Sequence, residues 1–162
     1  DLELLARSRV AIVSAGVKSI VDVPATGEWL ETLGVPILGL ETAVMPCFIA
    51  GVDPGAPAVH PVADLRTAAS IVRTHWSSVN PRGGVLVAVP GDPRLALAPE
   101  IVADANQRAE TEAAARGITG PPRTPFLLET MARETQGASL IANVALLLAN
   151  AGVAAELAIG LS

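Results

Sequence analysis

Short unbroken apolar runs alternate along this chain with longer stretches in which apolar residues recur every three to four positions, the pattern of strands and helices taken in turn. Residues 10–14 (Val-Ala-Ile-Val-Ser) form the first run, continuous rather than alternating, as a parallel strand covered on both faces requires. Residues 19–33 read as mostly helical despite Pro24 and Gly27, and 35–40 as a second strand. A third strand is expected over 84–89, stopped by Pro90. Residues 64–77 have the spacing of an amphipathic helix, and 99–116 form another that Gly117 ends. Two more helices start near Pro125 and Ser139, and Leu2-Glu3-Leu4-Leu5-Ala6 behind Asp1 reads as a helix start. This order predicts a three-layer α/β/α fold around a mainly parallel sheet.

Two stretches depart from the alternation. Residues 41–61 hold Pro46, Gly51, Pro54, Gly55, Pro57 and Pro61 and read as a long irregular loop, a candidate cover for an active site. Residues 140–161 are apolar over a length that would span a bilayer, but Asn143, Asn150 and Glu156 interrupt them, so a buried helix in a soluble core is expected. At roughly 100° per residue, Asn143 and Asn150 share one stripe of that helix, with Ser139 a turn earlier. Such a stripe lines a pocket or satisfies loose backbone groups. Thr124-Pro125 reads as an N-cap followed by the first helical residue.

Composition narrows the partners. The chain has 162 residues, 51% of them hydrophobic, enough for the core of one domain. Eleven basic and 16 acidic residues give a net charge of −5, and the arginines are scattered, which argues against nucleic acid and anionic membrane as partners. A small phosphorylated molecule is compatible, because local charge decides there. The single cysteine, Cys47, excludes an internal disulfide; with no signal-peptide pattern at the start, the cytoplasm is the expected compartment. His60, His75 and Cys47 lack zinc-ligand spacing and read as structural. Gly16-Val17-Lys18-Ser19 lacks both glycines of a phosphate loop at their required places, so nucleoside triphosphate binding is not expected.

Lys18 is the only lysine; the other ten basic residues are arginine. Arginine serves wherever plain positive charge is needed, but only lysine forms an imine. Lys18 follows the first strand directly, a place where apolar walls would desolvate the amine and keep it neutral for attack. The other reading is a surface or ion-pairing lysine. Asp22, four residues on, would tune that amine or be a first-turn helix acid favoured by the dipole.

The block Ser14-Ala15-Gly16-Val17-Lys18-Ser19-Ile20-Val21-Asp22, followed by Thr26-Gly27-Glu28-Trp29 through Val35-Pro36, resembles the pseudouridine-5'-phosphate glycosidases, a family that includes the indigoidine synthase A proteins. The likeness continues through Gly39-Leu40-Glu41-Thr42, Met45-Pro46-Cys47-Phe48, Gly83 to Ala88, Thr124 to Leu128, and Gly137 to Asn143. The resemblance implies reversible cleavage of the C–C glycosidic bond of pseudouridine 5'-phosphate to uracil and ribose 5-phosphate. It places the Schiff-base lysine at Lys18 and substrate-binding roles at Asp1, the end of a Ser-Ala-Asp motif, and at Asn143. By that alignment residues 1–162 are the C-terminal half of one larger α/β domain. The resemblance puts a general-acid glutamate, a phosphate-binding lysine and the ligand of a divalent metal, manganese, in the upstream half, so no metal ligand is expected in this chain and the fragment alone is expected to be inactive. A homotrimer, and the chain's own N-terminal half as partner, are implied in the same way.

A C–C glycosidic bond offers no heteroatom for a carboxylic acid to protonate, so the paired carboxylates of ordinary glycosidases do not suffice and an imine supplies the electron sink. The chain departs from the family at Val89-Pro90, where Asn-Pro is usual, at Thr135-Gln136-Gly137 for Thr-Gly-Gly, and at Ala149-Asn150-Ala151 for Asn-Asn-Ala. Losing the amide at 89 allows an altered substrate preference. Two other readings stand beside this one: another Schiff-base lyase or aldolase on a phosphorylated sugar, and a noncatalytic small-molecule binding module.

Overall fold

The computed structural model describes residues 1–18, 21–51 and 55–162. Its centre is a four-stranded parallel sheet in the order β1-β4-β2-β3, built from β1 (Ala11–Ser14), β2 (Ile37–Leu40), β3 (His60–Val62) and β4 (Val85–Ala88). Among the described residues six α-helices surround it: α1 (Leu2–Ala6), α2 (Val23–Thr32), α3 (Leu65–Thr74), α4 (Pro99–Ala115), α5 (Arg123–Glu134) and α6 (Ala138–Leu161). This is the α/β/α layering that the apolar runs predict.

β4 shows why the strands read as continuous runs. All four of its residues are buried. Val85 and Val87 pack with Leu38, with Ala68, Ala69 and Val72 of α3, and with Leu157 of α6. Leu86 and Ala88 point the other way, among Leu5, Leu30, Ile37 and Met45 on the side of α1 and α2. A third cluster joins α4, α5 and the first half of α6 around Ala109, Leu127, Met131 and Ala142.

Caps set most helix boundaries. Asp64 accepts the Thr67 N–H at 2.7 Å and starts α3, and the helix then loosens into a π turn, His75–Val79. Gly117, at φ 64°, ends α4: its N–H reaches Ala114 O and that of Ile118 reaches Ala113 O, a Schellman closure. Two starts differ from the sequence reading. α2 begins only at Val23, because the Asp22 carboxylate accepts the Ala25 N–H at 2.9 Å and caps it; residues 19 and 20 lie outside those described. α5 begins at Arg123, so Thr124 is inside the helix rather than its cap, and Pro125 sits in the first turn, where its missing N–H removes no helical bond.

Residues 41–61 are more ordered than an irregular loop. They contain a 3₁₀ turn, Phe48–Ala50, antiparallel bridges Gly16 to Cys47 and Val44 to Ala58, and the start of β3. Met45, Pro46, Cys47 and Ile49 are buried. Residues 45–51 form a bracket held in the core, because the apolar run inside the loop packs there: Met45 beside Leu86 and Ala88, and Ile49 beside Ala15. Residues 52–54 lie outside the described residues.

α6 is the larger correction. Its expected burial is confined to one stripe, Ser139, Ala142, Leu146 and Leu157, while Leu140, Ile141, Val144, Leu147 and Leu148 are exposed. The chain's other helices reach only one side of it. By length and composition α6 could cross a membrane, with mean hydropathy 1.9.

Candidate active site

A parallel sheet presents its loops at the carboxyl ends of its strands, and a crevice opens where neighbouring strands send their connections to opposite faces. β1 and β4 are such neighbours. The connection after β1 leads to α2, on the α1 side of the sheet; the one after β4 leads through α4 and α5 to α6, on the α3 side. The Lys18 loop and residues 89–98 therefore flank the switch point.

Lys18 is exposed, four residues beyond the end of β1, and its carbonyl accepts the Val21 N–H at 2.9 Å. The desolvation expected from sequence is not present, because β1 is the edge strand and nothing described covers its outer side. What the chain does supply is a fixed backbone ahead of the lysine. Ser14 Oγ accepts the Gly16 N–H at 3.2 Å and donates to Gly16 O at 3.0 Å, closing a tight turn. Gly16 has φ 98°, and a Cβ there would overlap the Pro46 carbonyl and lie 3.3 Å from Phe48 N. Glycine is thus required twice, for the backbone conformation and for the close approach. Phe48 N–H donates to Ala15 O at 2.9 Å, and Cys47 N–H to Gly51 O at 2.6 Å, so the bracket and the Lys18 loop are one unit.

The same 3₁₀ turn reaches α6. Phe48 and Ile49 line a small cavity of about 40 Å³ with Ser139, Leu140 and the half-buried Asn143. On their other side they line a second one, about 20 Å³, with Gly91, Asp92 and Leu146. Phe48 thus touches both the backbone ahead of Lys18, through Ala15, and the cavity that Asn143 lines, while among the described residues no hydrogen bond or ion pair joins Asp1, Lys18 and Asn143. Asp1 is exposed at the head of α1, making no side-chain cap bond. Ser139 is buried and accounted for locally, its Oγ 2.9 Å from Thr135 Oγ1. Asn150 Oδ1 is buried without a hydrogen-bond partner. Val89 points into the α3–α6 core and its N–H donates to Ser14 O at 2.9 Å, so it tightens the crest between β1 and β4 as an apolar residue.

The part that sequence reasoning missed is this bracket. Its signal was present: Met45-Pro46-Cys47-Phe48-Ile49 is an apolar run inside a region otherwise rich in proline and glycine.

Asp92 and Arg94 stand at the rim of the same edge. Arg94 donates to both Asp92 oxygens, and this pairing pulls the Asp92 carboxyl down from 3.8 to about 2. A carboxylate depressed by folding stabilises the fold above its unfolded pKa, and that contribution fades as pH falls through the folded value. The stabilisation is thus complete above pH 4 and lost toward pH 2. Melting curves of wild type and Asp92→Asn are expected to differ at pH 6 and to converge at pH 2. Asp22 is expected to act only as a cap: Asp22→Asn keeps helix stability and the pH profile of turnover, whereas Asp22→Ala costs about 1 kcal/mol. A shifted pH profile in Asp22→Asn would instead make that carboxylate a partner of the amine.

A larger cleft, about 570 Å³, opens at the opposite edge, where β2 and β3 begin, lined by Glu28, Glu31, Pro36 and His60 among others. Two carboxylates repel a phosphate, and neither Lys18 nor Asn143 reaches it, so size does not make it the catalytic cleft.

A family model described as "Indigoidine synthase A like protein" matches residues 1–160. A pseudouridine-5'-phosphate glycosidase of Chloroflexus aurantiacus is 43% identical over 164 residues, covering 100% of this chain and 53% of the relative. One of Herpetosiphon aurantiacus is 44% identical, covering 99% and 52%. Among solved structures, the prealnumycin C-glycosynthase AlnA in complex with ribulose 5-phosphate superposes with TM-score 0.87 at 34% identity, covering 99% of this chain and 52% of that one. An indigoidine synthase A-like protein of Thermotoga maritima gives 0.88 at 31% with the same coverage. The chain spans about half the length of these relatives.

Proposed function

This chain belongs to the indigoidine synthase A-like family, and from that premise we propose that it carries the imine-forming half of an enzyme that cleaves or forms the C–C glycosidic bond of a ribose 5-phosphate. Pseudouridine 5'-phosphate is the substrate we favour, with uracil and ribose 5-phosphate as products. The observation that carries the reading is the single lysine placed at the β1–β4 switch point on a turn that only glycine can form.

In the cleavage direction the ribose ring opens by breaking C1–O4, O4 taking up a proton, and the Lys18 amine loses a proton and bonds to C1, which still carries uracil. The nitrogen lone pair then makes the C=N bond of the imine as the C1–C5 bond breaks; the pair of that bond stays on C5, which takes a proton as uracil leaves, and water hydrolyses the imine to release ribose 5-phosphate and Lys18. Asn143, half-buried one helix away, offers an amide that both donates and accepts to a sugar hydroxyl, and Asp1 offers an acceptor. Manganese, which the resemblance implies, finds no donor set here: among the described residues no group of three His, Cys, Asp or Glu side chains comes together. A trimer is part of the proposal on the same resemblance.

Synthesis of a C-glycoside is the second reading, favoured by the glycosynthase whose structure holds ribulose 5-phosphate. Incubating the complete enzyme with ribose 5-phosphate, with and without uracil, separates the readings. Uracil-dependent formation of pseudouridine 5'-phosphate is expected. Consumption of the sugar phosphate only with another carbon nucleophile would support the synthase or a different lyase, and binding without any covalent adduct would leave a noncatalytic module.

A further inference from the structure

Among the described residues, Phe48 is the only one with an apolar side chain at positive φ. Its φ of 55° lies in the left-handed region that bulky side chains avoid, and the other two non-glycine residues found there, Glu41 and Gln136, are polar. Gly51, three residues on, takes φ 75° freely, and a glycine at position 48 would do the same. A strained backbone of this kind persists only where its surroundings over-determine it, and it gathers at functional sites. Here the turn is closed around Phe48: Cys47 N–H donates to Gly51 O at 2.6 Å, and Ala50 N–H to Cys47 O at 3.1 Å.

The turn is also bonded to both segments that flank the β1–β4 switch point. Phe48 N–H donates to Ala15 O at 2.9 Å, three residues ahead of Lys18, and Ile49 O accepts the Leu97 N–H at 2.9 Å from the segment after β4. On a third side stand α5 and α6. Phe48 packs against the cluster that Ala15 and Ile49 share with Leu127, Met131, Ala142 and Leu146. It lines the cavity of about 40 Å³ that Asn143 also lines, and the one of about 20 Å³ beside Gly91 and Asp92. A water molecule's share of liquid volume is about 30 Å³, so neither cavity holds a sugar or a base. Phe48 there is a spacer between the Lys18 turn and α6, and not a wall against substrate.

We propose that Phe48 is a positioning residue for the Lys18 amine: its ring sets the separation between the Lys18 turn and the helix that carries Asn143, and the left-handed backbone is the strain that aims the ring there. The inference rests on the reading of Lys18 as the imine-forming residue. Misplacing reacting groups by about 1 Å costs on the order of 10²-fold in rate. Loss of the ring therefore falls on the bond-forming step between the amine and C1.

The test is time-resolved trapping: the complete enzyme and ribose 5-phosphate are quenched at successive times with excess borohydride, over a range of sugar phosphate concentrations. Amplitude counts the folded sites, and the rate constant reports their geometry. Phe48→Ala is expected to lower the saturating rate constant of the Lys18 adduct at least tenfold, with the half-saturating concentration of ribose 5-phosphate within threefold of wild type. Phe48→Leu, which restores apolar bulk, is expected to return the rate constant to within threefold. Phe48→Gly, which removes strain and ring together, is expected to melt higher than Phe48→Ala and to be as slow; it carries the comparison should Phe48→Ala not fold. Variants that lose amplitude alone, or a Phe48→Gly enzyme that reacts at the wild-type rate, would overturn the inference and leave Phe48 as core packing. A wild-type enzyme that forms no Lys18 adduct would instead overturn the imine reading, and this inference with it.

Discussion

Lys18→Arg is expected to reduce turnover by the complete enzyme by on the order of 10³-fold or more while leaving the melting temperature unchanged within error. Lys18 is exposed and belongs to no core cluster, so the fold loses nothing when it changes. The guanidinium keeps the charge and much of the reach, so contacts that need only a cation survive. What disappears is a nitrogen able to become neutral and attack a carbonyl. Loss of rate with retained ribose 5-phosphate binding separates nucleophile from electrostatic anchor. A loss confined to KM, with kcat intact, would assign Lys18 to phosphate binding.

Gly16→Ala is expected to be the most damaging glycine-to-alanine change among the described glycines whose surroundings are known, its Cβ making the shortest backbone approach of them. The added Cβ meets the Pro46 carbonyl, and the φ of 98° is one that alanine adopts only under strain. Relief requires the Lys18 turn to part from the bracket, breaking the Phe48 to Ala15 bond and the Gly16 to Cys47 bridge. A loss of about 3 kcal/mol, or roughly 10 °C in Tm, is expected, together with loss of activity. Gly117→Ala, also at positive φ but with nothing within 4 Å of its Cβ, serves as the comparison for strain without a clash. Equal effects of the two substitutions would mean that the close packing at Gly16 is not what holds Lys18.

Much of this was legible before any coordinates. The all-buried β4 read as a strand because its apolar run is short and ends at Pro90, and α4 ended where Gly117 said it would, since a Schellman closure is written in one residue. Lys18 stood out by composition. The bracket at residues 45–51 was hidden because its order comes from pairing with residues 15 and 16, a long-range contact that local pattern does not carry. The exposure of α6 and of Lys18 was hidden for a related reason. Hydrophobicity reports that a face wants burial, whereas whether this chain itself supplies the cover depends on what packs against β1.

Borohydride trapping bears most directly on the central claim. The complete enzyme would be treated with ribose 5-phosphate and borohydride, digested, and read by peptide mass spectrometry. The expected result is a reduced sugar-phosphate adduct on the peptide bearing Lys18, absent in Lys18→Arg. Turnover that proceeds with no adduct on Lys18, or with the adduct on another residue, would contradict it.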